Sequence, residues 1–174
     1  MLCLDDFYKN GDDPTLPRQN GQIDWESPGS WDAKAAVEVI DQLARHGRAD
    51  VPVYAINEDR RVATRRFELT TSPLFVAEGI FAAEIVEECR RRGLLAGAYA
   101  LRRPRGATFL RRLARDLTQQ RKGPQVLLRR GVALLRAEPA VLRRQTGLGA
   151  EAARGRDVLR RVAGLLAAGH PPAR

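Results

Sequence analysis

Two short apolar runs that each stop at carboxylates constrain this chain most. Met1-Leu2-Cys3-Leu4 runs into Asp5-Asp6, and Pro73-Leu74-Phe75-Val76-Ala77 runs into Glu78-Gly79. A short, continuous apolar run is the pattern of a strand buried on both faces, the kind found in parallel sheets. Charge at the end of such a strand sits at the carboxyl edge of the sheet, where open α/β folds bind ligands. The two runs therefore predict an α/β fold with a mostly parallel sheet, and they place Asp5, Asp6 and Glu78 along one edge of it. On spacing alone, the same acids are better explained as caps for the helices that follow.

Composition narrows the class. At 174 residues the length favours one domain with a real core, and 44% hydrophobic with 29% charged residues is a globular composition. No apolar run approaches the roughly 20 residues of a bilayer-spanning helix, and Met1 leads into acids instead of a secretory signal. Cys3 and Cys89 lack metal-ligand spacing and read as reduced, structural thiols, so the expected location is the cytoplasm. The net charge of +9 is uneven: residues 1–88 carry 9 Lys/Arg against 17 Asp/Glu, and residues 89–174 carry 21 against 4. Arginine forks onto phosphates, so a nucleotide triphosphate or a nucleic-acid backbone becomes a candidate partner. Ordinary solvated surface in an Arg- and Ala-rich chain explains the same arginines.

Residues 10–31 form a turn-rich loop, with Asp12-Asp13-Pro14, Asn20-Gly21 and Ser27-Pro28-Gly29, too long for a mere connector. Ala36, Val39, Ile40 and Leu43 recur at helical spacing, which predicts a helix over 32–46 with Gly47 as its stop. An antiparallel ribbon is predicted over 51–69. After the strand over 73–77, a helix should reach about Arg92 with Gly93 as its stop, and Leu94–Leu101 reads as another strand. Thr108 opens a basic helix to about Lys122, helical character resumes beyond Pro124 with a break near Pro139, and a last helix is predicted over 158–168. The expected organisation is a main domain over 1–147 and a helical tail over 148–174.

Asp5 or Asp6 and Glu78 have complementary chemistry. One carboxylate can take a proton from a hydroxyl nucleophile while the other holds Mg²⁺, the division of labour that phosphoryl transfer needs. On the basic helix, Arg112 and Arg115 share a face, Asp116 is placed to pair with Arg112, and Arg121-Lys122 ends the segment. Such a face is either a solvated surface or a lid that neutralises a transferring phosphoryl group. Tyr8, Trp25, Trp31 and Tyr54 could stack a nucleobase or form a satellite hydrophobic cluster. Asp24 suits the hydrogen bonds of a ribose diol, or a turn.

The order of these pieces resembles the uridine kinase branch of the phosphoribulokinase/uridine kinase family of P-loop kinases. The segments that carry the resemblance are Leu4-Asp5-Asp6-Phe7-Tyr8-Lys9, Asp24-Trp25-Glu26-Ser27-Pro28 with Ser30-Trp31-Asp32, Val51-Pro52-Val53-Tyr54, Val76-Ala77-Glu78-Gly79-Ile80 and Arg111-Arg112-Leu113-Ala114-Arg115-Asp116-Leu117. The resemblance implies a P-loop kinase-like sheet flanked by helices, with an Arg-rich helical lid. It implies transfer of the ATP γ-phosphate, with Mg²⁺, to the 5′-hydroxyl of uridine or cytidine. Asp5 would be the base, Tyr8 and Tyr54 would line the nucleoside site, and Asp24 would hold the ribose hydroxyls. Glu78 would be the metal-associated acid, and Arg112 and Arg115, with Arg121 or Lys122, the lid cations. Relatives are often oligomeric, so a homo-oligomer is compatible with the resemblance.

The sequence departs from the family in two places. Ala55 stands where family members usually carry aspartate after the strand-closing tyrosine, and no Gly-x-x-x-x-Gly-Lys-Ser/Thr motif occurs in the 174 residues. That loop cradles the phosphates, so a chain lacking it should be a very poor kinase. The expectation is a reading frame that lacks roughly 25–35 upstream residues, one strand-loop-helix unit. The alternative from another class is a non-catalytic nucleic-acid-binding or nucleoside-binding regulatory protein. Against nucleic acid, Tyr99 and Phe109 are the only aromatics after residue 88, too few for a stacking platform.

Overall fold

The structure is a computed structural model that describes residues 1–69, 74–102 and 139–167. Two compact units divide the chain, one made of residues 1–97 with 164–174 and the other of residues 98–163.

In the first unit, β1 (Leu2–Cys3) is short because the chain turns at once into a 3₁₀ helix over Leu4–Phe7. The 10–31 loop holds a small hairpin, β2 (Arg18–Gln19) with β3 (Gln22–Ile23). Asn20 and Gly21 take φ of 51° and 79°, the left-handed pair that a two-residue hairpin turn requires. Ser27 then caps a 3₁₀ turn over Pro28–Ser30.

Helix α1 (Ala33–His46) follows its local signals closely. The Asp32 side chain accepts a hydrogen bond from the Ala35 amide at 3.0 Å, and Gly47 closes the helix with φ 68° and a hydrogen bond to the Leu43 carbonyl. Ala36, Val37, Val39, Ile40 and Leu43 face inward along the predicted stripe. They meet Leu2, Leu4, Phe7, Trp31, Val51, Phe81, Ile85 and Cys89 in one core. Burying each of the larger side chains is worth about 1.5–3 kcal/mol.

β4 (Arg48–Ala55) and β5 (Arg60–Glu68) form the predicted antiparallel ribbon, three residues longer at its start than the apolar alternation suggests. The register shifts at Val53/Tyr54, so that Val53 faces Ala63 while Tyr54 faces Arg61. This bulge aims the end of the ribbon at the Phe7–Asn10 segment.

β6 (Ala77–Glu78) pairs in parallel with β1, Leu2 opposite Ala77 and Cys3 opposite Glu78. A 3₁₀ turn over Ala82–Ile85 leads into α2 (Val86–Arg91), and Gly93 ends this region with φ 68°. The predicted helix to Arg92 is therefore half 3₁₀ and half α. The predicted strand over 73–77 needs correction. Leu74–Val76 are not strand, and Val76 is 53% exposed, so the apolar run is not sandwiched between two layers.

In the second unit, β7 (Tyr99–Leu101) pairs in parallel with β8 (Glu151–Ala153), in register from Tyr99 opposite Glu151. Between them residues 139–147 form α3, and α4 (Gly155–Ala167) follows β8. The fold is thus mixed α/β, with four α-helices and four two-stranded sheets among the described residues. Two of the pairs are parallel, and the longest pair is antiparallel, so a mostly parallel sheet is not what these residues form. The cause is local: β1 and β6 each stop after two residues, while the Arg-rich ribbon finds eight partners. Among the described residues, no helix is long and apolar enough to cross a membrane.

Candidate functional site

Parallel pairing fixes the site. Because Cys3 lies opposite Glu78, the residues that follow each strand, Asp5-Asp6 on one and Gly79-Ile80 on the other, emerge at the same edge. The Cys3 thiol registers the crowding. Its pKa is raised first by burial, with Asp6, Asp5 and Glu78 adding to the effect and the hydrogen bond from the Asp5 backbone opposing it.

The two adjacent aspartates are not equivalent. Asp6 turns back toward the ribbon, where its Oδ1 accepts the Tyr54 amide at 3.3 Å. Asp5 faces the β6 turn, and its Oδ1 accepts the Ile80 amide at 3.2 Å. Gly79 makes this approach feasible: a Cβ there would lie 2.8 Å from Asp5 Oδ1 and 2.9 Å from Leu4 Cβ. Asp5 is therefore the carboxylate held at the edge, and Asp6 is tied into the scaffold.

Beside them sits an aromatic cluster centred on Tyr8. Its ring lies 5.9 Å from Trp25, 5.8 Å from Tyr54 and 5.9 Å from Phe81, the first and last edge-to-face. The Tyr8 hydroxyl donates to the Trp25 carbonyl at 3.4 Å, and Tyr54 donates to the Lys9 carbonyl at 3.3 Å. Burial, with the nearby Asp5 charge second, pushes the Tyr8 phenol up to about 12. Burial and Asp59 raise that of Tyr54 as well, against Arg61. Trp31 lies deeper, its indole N–H on the Leu4 carbonyl at 2.7 Å, and belongs to the core.

Arg61 holds this arrangement together, and no local sequence signal points to it. Its guanidinium donates to the carbonyls of Tyr8 at 3.1 Å and Phe7 at 3.2 Å and to Asp32 Oδ2 at 3.2 Å. Its own amide donates to Asn10 Oδ1 at 2.9 Å. β5 carries four arginines in two adjacent pairs, Arg60-Arg61 and Arg65-Arg66, and only the bulge singles out this one. Phe81 was equally hidden, an aromatic in a segment read as a helix start.

Of the residues singled out from sequence, Asp5, Tyr8 and Tyr54 come together, with Glu78 at the same strand edge. Asp24 sits next to Trp25, and its Oδ1 accepts the Glu26 amide at 3.1 Å, a turn interaction. Arg112, Arg115, Arg121 and Lys122 lie outside the described residues. Among the described residues, no group of three or more His, Cys, Asp or Glu converges as a metal site. Magnesium asks for less: one or two carboxylates, with water and substrate phosphates completing its octahedron. The exposed Glu78 carboxylate fits that demand.

No protein-family model matches the sequence, and no curated protein matches it either. The chemistry of the site therefore rests on its own residues.

Proposed function

We propose that the chain is the acceptor-binding part of an ATP-dependent nucleoside kinase with a P-loop kinase-like fold, taking uridine or cytidine. The observation that carries this reading is the arrangement at the β1–β6 edge. There Asp5 is fixed by the Ile80 amide beside Gly79, with Tyr8 and its aromatic neighbours flanking it. In the proposed reaction the nucleoside 5′-oxygen bonds to the γ-phosphorus of ATP, the bond from that phosphorus to the β-bridging oxygen breaks, and ADP leaves. Asp5 accepts the hydroxyl proton. Glu78 would hold Mg²⁺, which neutralises phosphate charge when bound. Tyr8, Trp25 and Tyr54 supply flat apolar surface for the base, and Asp24 the acceptor for the ribose hydroxyls. Turnover would further need a phosphate cradle, with the arginines of 111–122 as the lid.

Binding and turnover are tested separately. Uridine should quench Trp25 fluorescence saturably in the 174-residue chain, and Tyr54→Ala should weaken that response. A version extended upstream through a glycine-rich Lys-Ser/Thr loop should phosphorylate uridine, and Asp5→Asn should lower kcat by about a hundredfold or more with nucleoside binding retained. Turnover of the Asn variant at the parent rate would remove Asp5 as the base.

A further inference from the structure

The second unit carries a charged cavity that the nucleoside reading does not use. It has a volume of about 220 Å³ and is lined by Arg102, Ala152, Ala153, Arg154, Asp157 and Arg161. Arg102 follows β7, and Arg154 follows β8, so the parallel pairing of these strands delivers both side chains to one edge. The pairing is continued past the strands by the Arg102 amide, which donates to the Ala153 carbonyl at 2.8 Å. Arg161 comes in from the second turn of α4. It is aimed by an ion pair with Glu151, and its guanidinium lies 5.6 Å from the centre of the Tyr99 ring.

The charges around the cavity do not cancel. Glu151 is engaged by Arg161, and Asp157 by Arg160 and, at 3.9 Å, Arg156. Arg102 and Arg154 have no carboxylate within ion-pair distance among the described residues. Three arginines and the one carboxylate of Asp157 line the cavity, and Arg156 and Arg160 also pair with that carboxylate. The cavity is smaller than the roughly 300 Å³ at which pockets for drug-sized molecules begin, so it suits one charged group better than a whole nucleotide.

We propose that Arg102, Arg154 and Arg161 form a binding site for a single phosphate group, free or as the terminal group of a phosphate ester. Arginine presents its N–H groups in a planar fork that matches phosphate oxygens, and Arg102 and Arg154, which make no ion pair among the described residues, line the cavity with Arg161 and with Asp157, whose charge Arg154 helps to offset. Arg161, fixed by Glu151 and Tyr99, marks the position the anion takes. Gly155 and Arg156 open α4 at the same edge and add the partial positive charge of a helix start.

The test uses the whole 174-residue chain, with inorganic phosphate and pyrophosphate as probes, followed by ¹H–¹⁵N NMR. Both anions should shift the amides of Ala153, Arg154 and Gly155 saturably. Arg102→Gln and Arg154→Gln should each weaken binding about tenfold or more. Arg45→Gln, which removes the same charge from an exposed arginine paired with the half-buried Asp41 elsewhere, should leave it unchanged. Circular dichroism should show all three variants folded, since each arginine is exposed. A linear, unsaturable response would overturn the site, as would equal weakening by Arg45→Gln and Arg154→Gln. So would shifts produced at these amides by single-stranded RNA and by neither small anion. The site does not rest on the nucleoside reading, which uridine quenching of Trp25 in the same samples reports independently.

Discussion

Gly79 does the most for the candidate site with the fewest atoms. It lets β6 pass so close to the β1 turn that the Ile80 amide reaches Asp5, and a methyl group in its place would meet both Asp5 and Leu4 well inside normal contact. Gly79→Ala should cost about 1–3 kcal/mol in urea unfolding, the usual range for overpacking, and should weaken the uridine response together with stability. Tyr8 reports on the same spot through its ionisation. Its pKa of about 12 in the folded chain lies above the ordinary value near 10, so the folded state keeps the proton that the unfolded state gives up. The Tyr8 contribution to stability is therefore complete below about pH 10 and is lost as pH rises toward 12. Unfolding midpoints measured across that window should fall less steeply for Tyr8→Phe than for the parent chain. Tyrosine absorbance should show one late-titrating phenol that the Phe variant lacks. An identical alkaline profile for the two proteins would contradict the burial of Tyr8 beside Asp5.

Helix α1 shows how far local signals reach, because its Asp32 cap, apolar stripe and Gly47 stop are all written within fifteen residues of one another. What Asp32 does with its second oxygen was not legible. Oδ1 caps the helix while Oδ2 receives Arg61 from across the ribbon, a pairing set by the β4–β5 bulge and by no feature of the sequence near either residue. β8 and the β2–β3 strands escaped for a related reason. Glu151-Ala152-Ala153 and the two-residue arms of the hairpin are too short to show alternation, and they exist because a partner strand or an Asn-Gly turn holds them. The run at 74–77 failed in the opposite sense: its composition is that of a buried strand, but of these residues Ala77 alone is in strand register with β1, with the Val76 carbonyl accepting the Leu2 amide at 2.8 Å. At the site, the sequence located the acids and aromatics but not which aspartate faces the edge, since that depends on the contacts of Gly79 and Tyr54. Replacing Asp32 by Ala should cost about 1–2 kcal/mol through the lost cap. A double-mutant cycle with Arg61→Met should show further coupling of about 0.5–1 kcal/mol, kept small because both side chains are about one-third exposed. Strictly additive effects would mean that Arg61 serves the Phe7 and Tyr8 carbonyls alone.

Charge divides the molecule into halves that should answer to different ligands. Residues 1–88 are acidic and hold the Asp5–Tyr8 site, whereas residues 89–174 carry 21 Lys/Arg against 4 Asp/Glu. A nucleoside is uncharged, so its binding at an aromatic and carboxylate site displaces few counterions and should be nearly indifferent to salt. Any polyanion held by the basic half must release condensed counterions, and its affinity should fall steeply as salt rises. Raising NaCl from about 50 to 200 mM should therefore leave the uridine response of Trp25 within about twofold, while RNA retention drops by about tenfold or more. The contrast discriminates between the two functional classes, because it assigns them to different physics in one polypeptide. If uridine binding collapses with salt in parallel with RNA retention, the nucleoside is being held by the arginines, and the β1–β6 edge is scaffold. If RNA is retained and uridine elicits no saturable response at any salt, the nucleic-acid class gains the chain. Salt-indifferent uridine binding that disappears in Tyr54→Ala ties the acceptor to the cluster around Tyr8.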